Sequence, residues 1–322
     1  MSQFNLKDES NSKEFYESRY LDGYMDDWPT EKKLRITEII KSLNLPETGE
    51  ALDFGCGNGV FSEVLKKSLP SWKIYGCDIS ETAILNAAKK LPNCTFFINN
   101  DQKYISKKFD FVFTHHVLEH VFDIKKSAEQ INQRLKEKSS MLHIFPCGNP
   151  GSYEFKLCNL RLDGIDVNKE NRFFYEDEGH LRRLTTVQCE KLFKEFGFDL
   201  KQEYYSHQYF GAIDWITKSN RSFIIKMFDP RKGKNLKAKI ILTGMLIKML
   251  LISTLRIIPI IYKRLKQKDK LQNKNPLILL LFNLSYKLLN PIDNYFTKKS
   301  DEEWNQFKQQ KNGSEMYLYF TR

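Results

Sequence analysis

No Cys-x-x-Cys pair occurs in this sequence: Cys56, Cys77, Cys94, Cys147, Cys158 and Cys189 stand apart, which excludes a structural zinc site built on closely spaced ligands. Residues 1–18 are mostly polar and charged, so no secretory leader is expected, and free thiols in a reducing cytosol follow. Internal repeats and low-complexity tracts are also lacking, which sets aside solenoid architectures. Acids are scarce over residues 216–300, where Asp229, Asp269 and Asp293 face nineteen Lys or Arg, a net +16. Since the whole chain carries +11, the remainder is −5. A mildly acidic body thus bears a strongly basic, apolar-rich segment whose expected partner is an anionic surface.

A chain of 322 residues with 41% hydrophobic and 13% aromatic side chains can build a sizeable core. From residue 50 short apolar runs alternate with helical periods, the mark of βα units feeding a parallel sheet. Strands are predicted at 51–54, 73–77, 95–98, 109–114 and 141–145, and helices at 60–68, 81–90 and 124–135. An amphipathic helix at 185–196, stopped by Gly197, precedes a sixth strand at 198–205. The Tyr- and Phe-rich stretch 315–320 reads as a last strand, far from the sixth. The expected fold class is therefore α/β, a doubly wound, mostly parallel seven-stranded sheet with a helical insertion before the last strand. Its expected parts are an N-terminal helical lid at 1–49, a nucleotide-type domain at 50–211, the insertion at 212–312 and the final strand at 313–322.

The chemistry is concentrated in Leu52-Asp53-Phe54-Gly55-Cys56-Gly57-Asn58-Gly59, between the first strand and its helix, where a doubly wound sheet places its ligand. Glycines let the backbone approach a ligand closely. The spacing is Gly-x-Gly-x-Gly, with Asp53 two residues ahead of the first glycine; an acid there would repel a pyrophosphate and suit a cation. A nicotinamide oxidoreductase would instead carry Gly-x-Gly-x-x-Gly. Asp78 closes the second strand at the position of an acid that accepts from both ribose hydroxyls. Ile79 can cover one face of an adenine, and Asp101, after the third strand, could receive a base amino group. Taken alone, the glycine turn is only a turn; three acids at these spacings point to a pocket for a cationic nucleoside.

These motifs resemble the class I S-adenosylmethionine (SAM) dependent methyltransferases, particularly the branch of ubiquinone-type O-methyltransferases and polysaccharide-cluster methyltransferases. The resemblance rests on residues 52–59, on Tyr75-Gly76-Cys77-Asp78-Ile79-Ser80, on 109–121 and on His180-Leu181-Arg182-Arg183-Leu184-Thr185 with 192–198. It covers residues 16–211 and resumes at the last strand. It implies SAM as cofactor, with Asp53 and the backbone of Gly55, Cys56, Gly57, Asn58 and Gly59 at its methionine moiety, Asp78 at the ribose and Asp101 at the adenine. By the same resemblance His115 is assigned to the cofactor, and His116 to catalysis beside the methyl group.

A sulfonium is already a good leaving group, so positioning can supply much of the rate, and a base matters only for a protonated acceptor. His180, after the fifth strand, is the second base candidate. His116, Glu119 and His120 fall at i, i+3 and i+4 and could share a helix face as metal ligands. In ubiquinone-type relatives the first of these is glutamate and a divalent metal is used; here it is His116, so no metal is assigned, and Glu119 and His120 are read as bracing the loop. Tyr16, Tyr20 and Tyr24 form a stripe on an expected N-terminal helix, which either closes over the ligand or packs on the sheet.

Residues 240–262 are nearly all apolar and long enough to span a bilayer, but Lys248 and Arg256 interrupt them, each costing roughly 2.5–3.5 kcal/mol on insertion. The Lys-rich flanks 231–239 and 263–270 and a second apolar run at 276–289 suggest helices lying in the headgroup plane. A helical cap or subunit interface is the alternative. Nucleic acid is disfavoured, because long aliphatic runs suit lipid better than phosphate. The expected enzyme methylates, at oxygen, a small-molecule, lipid-linked or glycan acceptor, in the cytoplasm on the inner face of the membrane. The other function classes considered are a silent SAM-fold protein that binds a partner through its insertion, and an RNA methyltransferase.

Overall fold

The computed structural model describes residues 11–267 and 276–322. Part of the basic flank 263–270, and residues 1–10 of the polar start, lie outside the described residues. Helices α1 (Ser12–Leu21) and α2 (Thr30–Ser42) lead into β1 (Glu50–Phe54). Then α3 (Val60–Ser68), β2 (Lys73–Asp78), α4 (Glu81–Lys90), β3 (Thr95–Ile98), β4 (Phe109–His115), α5 (Ile124–Gln133) and β5 (Leu135–Pro146) follow. Next come α6 (Tyr153–Asn159), the short paired strands β6 (Ile165–Asp166) and β7 (Arg172–Phe173), α7 (Thr186–Lys194) and β8 (Asp199–Ser206). The chain ends with α8 (Phe210–Lys218), α9 (Arg221–Met227), α10 (Leu236–Gln267), α11 (Pro276–Phe307) and β9 (Glu315–Thr321).

The central sheet has seven strands in the order β3-β2-β1-β4-β5-β9-β8, with β1–β2, β2–β3, β1–β4 and β4–β5 parallel. This is the doubly wound, mostly parallel seven-stranded sheet expected from the sequence, with helices inserted before the last strand. Its central strands are apolar on both sides because helices cover both faces: Ala51, Leu52, Phe111, Val112, Phe113 and Leu142 are fully buried. Helix α3 buries Val60, Phe61, Val64 and Leu65 and leaves Lys67 exposed. Strand order reverses beside β1, and the register aligns Phe54 with Cys77, Asp53 with Phe113 and Asp78 with Ile98. The carboxyl ends of β1, β2 and β4 therefore open on one crevice, where such sheets bind ligands.

Two local expectations are corrected. The helix read at 124–135 stops at Gln133, and β5 begins at Leu135, which pairs with Phe109 before a register shift. Residues 136–140 read Lys-Glu-Lys-Ser-Ser and hide that strand from a hydrophobic pattern. Helix α1 ends at Leu21, and Gly23 (φ 81°) turns the chain, so Tyr24 folds back on Tyr20 (ring centroids 5.8 Å) instead of continuing a helical stripe.

The chain divides into two compact units. The first holds the described residues up to Pro146 with Asp177–Glu203 and Met316–Arg322; the second holds Cys147–Glu176 and the described residues of Tyr204–Glu315. The second unit is thus wider than the 212–312 insertion: Tyr153 and Leu157 of α6 share one apolar cluster with Ile213, Met227, Leu242 and Met249. Its helices are tied together by Arg256 of α10, which is fully buried. The guanidinium donates to Asp293 Oδ1 of α11 (2.8 Å), Asp214 Oδ1 of α8 (2.6 Å) and Thr217 Oγ1 (2.6 Å). Burial works against the Asp293 carboxylate, yet Lys263 (2.7 Å) and Arg256 hold it below the usual carboxylate range.

Removing one partner of such a network leaves an uncompensated buried charge. Arg256→Ala should therefore lose about 3–5 kcal/mol of stability in urea unfolding, with Arg256→Met less damaging than Asp293→Ala. Equal midpoints for the three variants and the wild type would contradict this role.

Candidate active site

Gly55, Gly57 and Gly59 all adopt positive φ (77°, 49° and 76°), and the loop they form is fastened to β2. The amides of Gly55 and Cys56 donate to the Cys77 carbonyl at 2.8 and 3.0 Å. Gly57 N–H reaches the side chain of Asp78, donating to Oδ2 at 2.9 Å, while Ser80 N–H donates to Oδ1 at 3.0 Å. Asp78 is buried, which raises its carboxyl above the usual range, and the amides of Ser80, Gly57 and Ile79 oppose that rise. Each oxygen keeps lone-pair capacity for another donor.

Asp53, at the end of β1, is almost wholly buried and accepts from Ser62 Oγ at 2.6 Å. Burial pushes its carboxyl up to about 7, against the pull of Ser62 and with the Asp78 charge adding to the rise. A cation placed beside Asp53 would restore the ionised form. Cys56 contributes through its backbone, since burial pushes its thiol far up and leaves it inert.

Two adjoining cavities share Tyr16, Tyr20, Gly55, His116 and His120. The larger, about 260 Å³, is lined by Phe54, Asp78, Ile79, Asn99, Val117 and Phe122; the smaller, about 70 Å³, by Asp53, Cys56, Gly57, Asn58, Trp28 and His115. Together they make a slot running from Asp53 past the glycine loop to Asp78 and Asn99. His115 stacks on Phe61 (3.8 Å) and meets the edge of Trp28 (4.7 Å). The hydroxyls of Tyr16 and Tyr24 are buried without a hydrogen-bond partner among the described residues, and burial raises both pKa values, so they stay protonated.

The N-terminal segment forming this aromatic wall is held at several points. Asn58 Nδ2 donates to Asp26 Oδ1 (2.6 Å), Thr82 Oγ1 to Glu17 Oε1 (2.6 Å), and Arg19 to Asp177 Oδ2 (2.9 Å). Asn58 thereby braces the wall. Gly59 serves as the left-handed N-cap of α3.

His116 sits just past β4 at φ 54°, a conformation that costs energy outside glycine and clusters at functional sites. Its Nδ1 lies 2.8 Å from Glu119 Oε1, and Lys32 Nζ is 3.2 Å from its Nε2. Glu119 is buried, yet the surrounding His116, His120 and His180 pull its carboxyl down to about 2. His120 Nδ1 donates to the Gly179 carbonyl at 2.8 Å, and burial lowers its pKa to about 4. Ligand atoms of His116, Glu119 and His180 lie within 4.8 Å of one another and could hold a metal. Both ring nitrogens of His116 are engaged within the chain, however, and a lysine ammonium beside the cluster opposes a dication. The arrangement reads as a charged brace.

Two sequence assignments are not brought to the slot. Asp101 lines neither cavity: the turn after β3 aims its carboxylate at Lys103 N (2.9 Å), and Asn99, whose amide donates to the Asp78 carbonyl (3.0 Å), takes the place by the cavity. His180 lines neither cavity and packs on His120 (ring centroids 4.6 Å).

The profile of the family described as "Methyltransferase domain" matches residues 29–203, more than half of the chain. The chain belongs to this methyltransferase family. Trans-aconitate 2-methyltransferase of Variovorax paradoxus is 33% identical over 63 residues, 20% of this chain and 24% of that protein. Demethylmenaquinone methyltransferase of Thermotoga maritima is 24% identical over 184 residues, 54% of this chain and 79% of that protein. The chain thus spans about a quarter of the length of the first of these relatives. A structure of magnesium protoporphyrin IX methyltransferase from Synechocystis PCC 6803 with bound S-adenosylhomocysteine (SAH) aligns with TM-score 0.44 at 19% identity, over 63% of this chain and 95% of that one.

Sequence reasoning about this methyltransferase missed Asn99, Trp28 and Lys32. Asn99 immediately follows β3 and was legible as the first polar residue there; Trp28 and Lys32 enter the site through a chain reversal with no pattern of its own.

Gly55 is the tightest point of the loop, since a Cβ there would lie 2.5 Å from Val117 Cγ2 in addition to the positive φ. Gly55→Ala should cost about 1–3 kcal/mol in thermal or denaturant unfolding, and Val117→Ala should recover only the steric part. An unchanged melting temperature for Gly55→Ala would contradict this geometry.

Proposed function

We propose that the protein methylates oxygen on a small acceptor that is lipid-linked or membrane-proximal, and that the slot between Asp53 and Asp78 holds SAM for that reaction. The acidic slot carries this reading. Bound SAM supplies an activated methyl group on a cationic sulfur. Asp53 and the Gly55–Gly59 backbone face the methionine end and Asp78 the ribose hydroxyls, while Ile79 and Asn99 take the base, Asn99 replacing Asp101. The unpartnered hydroxyls of Tyr16 and Tyr24 add neutral hydrogen-bonding capacity at the methionine end.

His116 is the better base of the two histidines, because it lines both cavities and His180 lines neither. As the acceptor binds, Lys32 turns from His116 Nε2 (3.2 Å) to the acceptor, the proton of the methylated oxygen passes to the nitrogen so released, and Glu119, 2.8 Å from Nδ1, stabilises the imidazolium that forms. Lys32 can hold a negatively charged group of the acceptor beside Nε2. Support for a small oxygen acceptor comes from the relatives, whose names speak of trans-aconitate and of an O-methyltransferase acting on malonyl-[acyl-carrier protein]. The basic, apolar helices of the second unit support the membrane part, and the site of action proposed with it is the cytoplasmic, inner face of the membrane.

Calorimetry with SAM tests the slot: Asp78→Ala should weaken binding by about 10- to 100-fold, the loss of hydrogen bonds to a charged acceptor. Transfer of labelled methyl groups to a membrane lipid extract, absent in Asp78→Ala, is the expected activity; label appearing only in RNA or water-soluble acids would overturn the acceptor assignment.

A pH dependence follows from Asp53, whose carboxyl is protonated below about 7 and ionised above it. A cationic ligand prefers the ionised form, so affinity for SAM should rise roughly tenfold between about pH 6 and 8 and then level off. Asp53→Asn should flatten this profile; an equally steep profile in the variant would assign the dependence elsewhere.

A further inference from the structure

In the second unit, α10 and α11 form an antiparallel pair, with Tyr262 stacked on Tyr286 (4.0 Å) and Lys263 bonded to Asp293. Their inner sides serve the unit's core: Leu242, Met249 and Ile252 pack with α8 and α9. Their outer sides are unusual for exposed surface. Of the twenty-five large apolar side chains exposed among the described residues, fifteen lie on these two helices. Ile240, Ile247 and Leu251 recur at helical spacing along α10, as Leu281, Leu284 and Leu288 do along α11, and all are exposed. Apolar ridges of this extent mark an interaction site.

Charge identifies the occupant. The exposed charged residues interspersed with the ridges are basic, including Lys237, Lys239, Lys248 and Lys287, and segment 216–300 holds only three acids. An apolar ridge fringed by lysines is complementary to an anionic bilayer, with leucine and isoleucine entering the acyl boundary and lysines reaching the phosphates. Helix α10 is long and apolar enough to cross a membrane, and only 28% of its most apolar window is buried. Crossing is opposed by its inner face, where Arg256 is paired with Asp214 and Asp293 and the apolar residues are already packed in the unit's core. A helix with one face in that core can only lie along the surface.

We infer that the outer face of the α10–α11 pair is a docking surface for an anionic lipid bilayer, entered side-on and not spanned. This deepens the membrane-proximal part of the proposed function and is independent of methyl transfer.

Flotation of the full chain with vesicles of phosphatidylcholine containing phosphatidylglycerol, against phosphatidylcholine alone, is the test. Two variants carry paired exposed changes, Ile247→Glu with Leu251→Glu, and Leu281→Glu with Leu284→Glu; melting curves and SAM calorimetry on each show that the fold and the first unit are intact. The wild type should float with anionic vesicles, at least about tenfold less with neutral ones, and each variant should lose flotation by a similar factor. Lys237→Gln with Lys239→Gln should weaken it and make what remains less sensitive to salt. Wild type left at the bottom of the gradient, or variants that float equally well, would overturn the inference. So would resistance to alkaline extraction, which indicates a spanning helix, or a non-floating dimer that the variants dissociate, which indicates an interface between copies. Flotation without any SAM heat would uphold docking and strike at the methyl-transfer reading instead.

Discussion

The first unit depends on one interaction, the grip of backbone amides on the buried carboxylate of Asp78. Gly57 N–H from the β1–α3 loop and Ser80 N–H from the β2–α4 loop converge on it. A buried charge without such donors would be expelled or neutralised. The same grip sets the shape of the glycine loop, because Gly57 must turn to φ 49° and Tyr20 then lies against it, its hydroxyl 2.8 Å from where a Cβ would stand. The loop is thus pinned from below by β2 and covered from above by the N-terminal tyrosines. Asp53 and Asp78 stand at opposite ends of the slot, and a cationic nucleoside between them would draw the Asp53 carboxyl back to its ionised form.

What was legible in the sequence is what local chemistry determines. Glycines at 55, 57 and 59, an acid at the end of each of two strands, and the apolar runs between them fix the crevice without reference to distant residues. Asp101 lies off the slot because one turn decides where a side chain after β3 points, and there its carboxylate accepts from Lys103 N. His180 also lies off the slot, because its place depends on a loop whose packing has no periodic signature. The stripe of tyrosines was half legible: Tyr16 and Tyr20 share α1, but Gly23 breaks the period before Tyr24, and the reversal beyond it brings Trp28 and Lys32 into the site.

The second unit shows a similar division. Its apolar runs and its charge were plain, but the sequence could not tell that Arg256 is an internal tie between three helices and not a charge interrupting a span. Nor could it tell that α6, far upstream, joins the same core. Both facts depend on long-range pairing, and both change the meaning of the apolar surface: a helix anchored by a buried ion network keeps its inner face packed in the core and presents the other outward.

The central claim is that the carboxylates at the ends of β1 and β2 define a nucleoside pocket. A crystal structure of the protein with SAH tests it most directly. The account predicts both ribose hydroxyls within about 2.6–3.2 Å of Asp78, with the amino acid end beside Asp53 and the glycine loop. A nucleoside bound elsewhere, or in this crevice with Asp78 turned away from the ribose, would contradict it.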